Sequence, residues 1–159
     1  MQLTDAQVDG ALATWPVARL ALADGTGQPR VLPVVFVEVS GTLWSPVDGK
    51  PTRGGPGEPA RVRHVRAHPL VELVIDGYDD DWSRLWWIRI DGIARVVQPP
   101  DPETDPDVAP VLAALRRKYP QYERTPLLGD PPTLLAIRPD RVRSWRAGPQ
   151  AGAALDADA

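Results

Sequence analysis

Residues 17–45, VARLALADGTGQPRVLPVVFVEVSGTLWS, decide the fold. Residues 17–23, apolar at every position but Arg19, read as a strand. Asp24-Gly25-Thr26-Gly27 is a turn, and 30–39, rich in valine, is a second strand. Ser40-Gly41 turns the chain again into a third strand over 42–45. Strand, turn, strand, turn, strand at this spacing predicts an antiparallel meander.

Outward from the meander, helices and further strands alternate. Thr4-Asp5-Ala6-Gln7 has the form of a capping box and opens a short helix to about Trp15, where Pro16 stops it. A Pro/Gly-rich loop over 46–58 leads to a helix over 59–67, closed by Pro69. Strands follow over 70–76 and 84–97, joined by a turn at Asp79-Asp80-Asp81, and Gly92 marks a bulge or a bend in the longer one. Beyond a Pro/Asp-rich connector, 108–118 is an amphipathic helix with Val108, Val111, Leu112 and Leu115 on one face. Strands over 133–137 and 142–145 complete the set. The Ala/Gly/Asp-rich residues 147–159 predict a disordered tail behind a folded domain of 1–146. The fold class is mainly β: six or seven antiparallel strands with two to four short helices, closing as a small barrel that removes its own edges.

Composition narrows the function classes. The chain has 159 residues, enough for one domain with a real core, and 43% hydrophobic content marks it as globular. It has no cysteine, so disulfides, thiolate metal sites and Cys nucleophiles are excluded. A net charge of −3 with no basic stripe argues against nucleic-acid binding. No apolar run approaches 20 residues, so no membrane span is expected. The N-terminal residues carry no basic-then-apolar leader, and the expectation is a cytoplasmic protein.

Charge placement locates a site. The chain uses sixteen arginines but only two lysines, Lys50 and Lys118. Lys50 sits in the 46–58 loop, where a compact ammonium suits a phosphate as a point charge. Ser45 adds a hydroxyl, and Arg53, Arg61 and Arg63 follow. A solvated hairpin loop accounts for the same residue types equally well. Trp86 and Trp87 are adjacent and on a strand face opposite sides; one suits the core or an interface, the other a substrate pocket. His64 and His68 share a helix face but have no third ligand, so no metal site is expected. Ser45 has no general base nearby in sequence, which disfavours hydrolase chemistry.

Four segments together carry a resemblance: Ala18-Arg19-Leu20-Ala21, WSPVDGKP at 44–51, YDDDWSRLWW at 78–87, and Lys118-Tyr119-Pro120-Gln121-Tyr122. Over roughly 5–146 the chain resembles the split β-barrel flavin or deazaflavin oxidoreductases of the pyridoxamine-phosphate-oxidase-like superfamily. Within them it is most similar to the actinobacterial branch that uses the deazaflavin F420. The resemblance implies a split β-barrel homodimer with a cofactor groove between subunits. Lys50 and Ser45 match the phosphate-binding motif, and Arg61 and Arg63 fall on the helix where basic residues are usual. The stretch Thr52-Arg53-Gly54-Gly55-Pro56-Gly57-Glu58 departs from a more uniformly basic pattern. The backbone of Leu32, Pro33 and Val34 is expected along the polar edge of the ring. Trp145 is expected near the partner's cofactor, and one of Trp86 and Trp87 at the substrate pocket. No side chain is implied as an obligatory acid. The implied reaction is hydride transfer from reduced F420 to an activated conjugated acceptor, a small molecule. The same fold with FMN, or a non-enzymatic binder of a flavin or tetrapyrrole, remains open.

Overall fold

The structure, a computed structural model, describes residues 1–48 and 58–156. Its elements in chain order are α1 (Asp5–Thr14), β1 (Ala18–Ala23), β2 (Pro29–Val34), β3 (Val37–Val39), β4 (Thr42–Pro46), α2 (Ala60–Ala67), β5 (Leu70–Gly77), β6 (Trp86–Val97), α3 (Ala109–Lys118) and β7 (Leu134–Arg146). The strands form one antiparallel sheet of seven in the order β2-β1-β5-β6-β7-β4-β3. This is the mainly β, split-barrel architecture expected from the sequence.

The capping box forms as read. Gln7 N–H donates to Thr4 Oγ1 at 3.2 Å, and Thr4 N–H donates to Gln7 Oε1 at 3.1 Å. Two donors at the helix start are thereby satisfied reciprocally. The β3–β4 hairpin closes on Ser40 and Gly41, at φ 53° and 76°. Positive φ at both central residues lets the turn twist with its strands. At the β1–β2 turn the Asp24 carboxylate accepts from Thr26 Oγ1, Thr26 N–H, Gln28 N–H and Arg30.

Three departures from the sequence reading have physical causes. First, the strand expected over 30–39 is two strands, β2 and β3, broken at Val35 and Phe36. Phe36 N–H donates to Tyr119 Oη at 3.0 Å, and its carbonyl accepts from Tyr119 Oη at 2.7 Å. A buried hydroxyl from the end of α3 takes the place of a ladder partner and frees the chain to change sheet neighbours.

Second, β7 is one strand of 13 residues where two short ones were expected. It pairs with β6 from Trp86↔Arg146 to Val97↔Leu134. The register shifts at Asp91/Gly92: Asp91 faces Arg141 and Gly92 faces Pro139, so Asp140 is the extra residue of a bulge. A Cβ on Gly92 would lie 2.9 Å from the Arg138 carbonyl oxygen, which explains the glycine. The bulge also lets Pro139 remain in the strand.

Third, residues 147–156 are packed where a disordered tail was expected. Ala151 and Leu155 are buried in the main core with Leu3 and Ala11. Gln7 Nε2 donates to Asp156 Oδ2 at 3.0 Å. A Cβ on Gly10 would sit 2.3 Å from the Leu155 carbonyl oxygen, so that glycine makes room for the returning chain.

The core has two parts. Leu20, Leu73, Ile75, Ile88 and Ile90 form the larger one, under α1 and α2. Val111, Leu112, Leu115, Trp44 and Leu134 form the second, under α3. Along β4 the side chains alternate between them: Leu43 packs in the larger cluster and Trp44 in the smaller. Beside it, β7 divides in the same way, with Leu135 and Ile137 in one and Leu134 and Ala136 in the other. Strands covered on both faces read as unbroken apolar runs, as 134–137 does.

Candidate functional site

The end of β4 and the start of α2 meet at the loop whose sequence singled out a phosphate cradle. Lys50 and Arg53, which anchor that reading, lie outside the described residues. What surrounds the gap is described. Ser45 lies on β4 opposite Leu135 and is 1% exposed.

Arg61, on the first turn of α2, donates from Nη2 to the Pro46 carbonyl at 3.2 Å, tying the helix to the strand end. The Asp48 carboxylate stands 3.9 Å from the same nitrogen, an ion pair beyond hydrogen-bonding distance. Burial lowers the Arg61 pKa, opposed by the negative charge of Asp48 and by Tyr122. Tyr122, on the 3₁₀ turn Pro120–Glu123, is pushed up to about 12, first by burial and then by Asp48. A half-buried guanidinium thus spends one of its five donors on a neutral carbonyl. The others suit an anion with several oxygens, and a phosphate fits.

Asp48 and Tyr122 neighbour Arg61 and were not assigned by the sequence reading. Tyr122 lies in the quoted KYPQY string, 61 positions from Arg61, but only the fold brings the two together. Arg63 is exposed and donates to the Glu58 carbonyl. Two residues along a helix do not share a face, so it does not join Arg61.

The strand expected to flank a ring is β2. Leu32, Pro33 and Val34 pair with Leu20, Arg19 and Ala18 of β1. Val34 is buried in the larger core, Leu32 is half-buried against it, and Pro33 is exposed.

The tryptophans separate as the strand period requires. Trp86 is buried in the core, with its ring edge-on to Trp15 at 4.8 Å. A Cβ on Gly77 would come within 2.3 Å of Trp86 Nε1, so the glycine in β5 seats the indole. Trp87 points to the other face and stacks on Trp145 of β7, with ring centroids 6.5 Å apart and an interplanar angle of 19°. Arg89 lies 6.0 Å from the Trp87 ring. On this outer side of the sheet Val31 and Trp145 are also exposed. Among the described residues no group of three or more acidic, His or Cys side chains could hold a metal ion. Nor is any described helix long and apolar enough to cross a membrane.

Comparison with solved structures finds the same fold. A conserved hypothetical protein of Mycobacterium tuberculosis matches with a TM-score of 0.71 at 16% identity, covering 91% of this chain and 86% of that one. The heme storage protein HutZ of Vibrio cholerae matches at 0.64 and 14%, covering 92% and 95%. An F420 reductase matches at 0.55 and 20%, covering 84% and 94%. No curated protein matches the chain. The family model described as pyridoxamine 5'-phosphate oxidase matches residues 4–146, which is nearly the whole described fold. By that match the chain belongs to the pyridoxamine 5'-phosphate oxidase family.

Proposed function

We propose that the protein is a homodimeric oxidoreductase that binds F420 and reduces an activated conjugated small molecule such as an enone or quinone. The observation that carries this is Arg61. It is a half-buried guanidinium with spare donors, held at the strand end next to the segment bearing Lys50, within a fold of the oxidase family. When bound, reduced F420 supplies a hydride equivalent at its central ring.

The protein's own contribution is binding and orientation. Arg61 and Lys50 hold the phosphate, with Ser45 as a neutral donor. Asp48 suits the hydroxyl groups of the sugar-alcohol chain that deazaflavins and flavins share, while it also keeps Arg61 charged. The β2 backbone at Leu32, Pro33 and Val34 supplies donors and acceptors for the edge of a flat heterocycle. The Trp87–Trp145 stack would offer an apolar wall to the acceptor and material for a subunit contact, with Trp145 toward the partner. Trp86, in the core, supports that wall from behind. Arg63 adds positive potential at the rim. The proton is drawn from solvent.

Titration of F420 and of FMN, each followed by tryptophan fluorescence, tests the reading. F420 should saturate the signal and FMN should bind more weakly. Lys50→Ala and Arg61→Ala should each weaken F420 binding about ten- to a hundredfold, the loss expected for one charge-assisted contact. Tight FMN binding with no F420 response overturns the cofactor assignment. A tetrapyrrole bound tightly, with no turnover of any acceptor, would instead favour a storage role like that named for HutZ.

A further inference from the structure

A cavity of about 570 Å³ lies between α1, β3 and the end of α3, apart from the cofactor site. Its lining includes Leu12, Val37 and Ala114, the carboxylates Asp9 and Glu38, and the cations Arg117 and Lys118. Lys118 is the unusual member. Nζ donates to the Leu12 carbonyl at 2.8 Å and sits 3.9 Å from the centroid of the Phe36 ring. It makes no ion pair among the described residues. The amine is thus held in place by one neutral acceptor and two aromatic rings, Phe36 and, at 5.6 Å, Tyr119, at the wall of a cavity large enough for a small molecule.

We propose that Lys118 is a modification site: a nucleophilic amine that takes an acyl group from small acyl phosphates entering this cavity. The lone pair of the neutral amine attacks the acyl carbon. The N–C bond forms, the C–O bond to phosphate breaks, and phosphate leaves with that electron pair. The nitrogen's surplus proton passes to solvent or to the Asp9 or Glu38 carboxylate, and nothing is oxidised or reduced. Arg117 supplies the positive charge that draws the acyl phosphate in and receives the departing phosphate.

Two features favour this outcome. Burial lowers the Lys118 pKa to about 8, so about a tenth of the amine is in the neutral, nucleophilic form at pH 7, whereas an ordinary lysine stays charged until about pH 10. The titratable and charged groups that line the same cavity are Asp9 from α1, Glu38 from β3 and Arg117, and the Tyr119 ring lies 5.6 Å from the amine. The amide that forms also keeps one N–H for the Leu12 carbonyl while discharging a half-buried cation, which removes a desolvation cost.

The experiment treats the full chain and the Lys50→Arg variant, in which Lys118 is the sole lysine, with acetyl phosphate from pH 6.5 to 10.5. Peptide mass mapping then reads Lys118 occupancy. The expected result is a Lys118 acylation rate that rises with pH and levels off above about pH 8, and that exceeds the Lys50 rate at pH 7 several-fold in the native chain. Lys118→Arg should lose that added mass. A Lys118 rate that keeps rising tenfold per pH unit to pH 10, or stays below that of Lys50 at pH 7, overturns the proposal. Since neither readout involves a cofactor, failure here leaves the F420 reading untouched.

Discussion

On the inner face of β6, Trp86, Ile88 and Ile90 are buried, and each contacts the main core. On the outer face of the same strand, Trp87, Arg89 and Asp91 are only half covered. The outer side chains are matched across strands: Trp87 on Trp145, Arg89 on Glu72, Asp91 with Arg143. The strand alternation that builds the core thus also builds a second surface, mixed in character, with stacked indoles flanked by paired charges. The inner face holds the fold together. The outer face carries aromatic and arginine side chains, residue types that contact surfaces favour.

The largest effect that would test this division is at Trp86. Trp86→Ala removes the edge-on partner of Trp15 and leaves a void over Gly77, at an expected cost of about 3–5 kcal/mol in urea unfolding. A cost no larger than that of truncating Trp87 would collapse the distinction between the faces.

Next in size is Tyr119→Phe. The ring volume is kept, but the Phe36 N–H and C=O lose their partner at the β2–β3 break. An unsatisfied buried backbone group costs about 1–3 kcal/mol, and hydrogen exchange at Phe36 should accelerate accordingly. Unchanged exchange at Phe36 would mean that water substitutes for the hydroxyl.

These variants also mark where sequence reasoning reached and where it stopped. The capping box at Thr4 and Gln7, the bulge at Gly92 and the opposed tryptophans were legible, because each depends on neighbours within a few residues or on the period of a strand. The break at Phe36 was not, since its cause is Tyr119, 83 positions away. Nor was the packing of Ala151 and Leu155: small residues look like tail until Gly10 and Leu3 make a seat for them. At the candidate site, Arg61 and Ser45 were singled out by residue type. Asp48 and Tyr122 were missed, because their relation to Arg61 exists only once β4, α2 and the turn after α3 converge.

Smaller in stability but decisive for assembly is the double truncation Trp87→Ala with Trp145→Ala. In a monomer the loss of an exposed stacked pair costs about 1 kcal/mol. If the outer face is the subunit contact, light scattering at micromolar concentration should fall from the dimer mass to the monomer mass while the circular dichroism of the sheet is retained. A native chain that is already a monomer with its cofactor affinity intact removes the shared site.

The smallest expected effect is the most discriminating. Arg89 Nε and Nη2 donate to the two carboxylate oxygens of Glu72, each at 3.0 Å, in a parallel fork across β5 and β6. In the isolated chain both side chains are more than a third exposed, or close to it, at 40% and 34%. An exposed pair contributes about 0–1 kcal/mol and is weakened by salt. Glu72→Gln should therefore change unfolding free energy by less than about 1 kcal/mol at low protein concentration, with the difference fading as salt is added. Under a second subunit the same pair is out of water, and removing one partner strands a buried guanidinium at a cost of about 3–5 kcal/mol. Measured across a protein dilution series, a cost that grows with concentration and resists salt would show that the outer face is covered in solution. A cost that stays small at every concentration would show that Arg89 and Glu72 remain in water, and that any subunit contact lies elsewhere on the molecule.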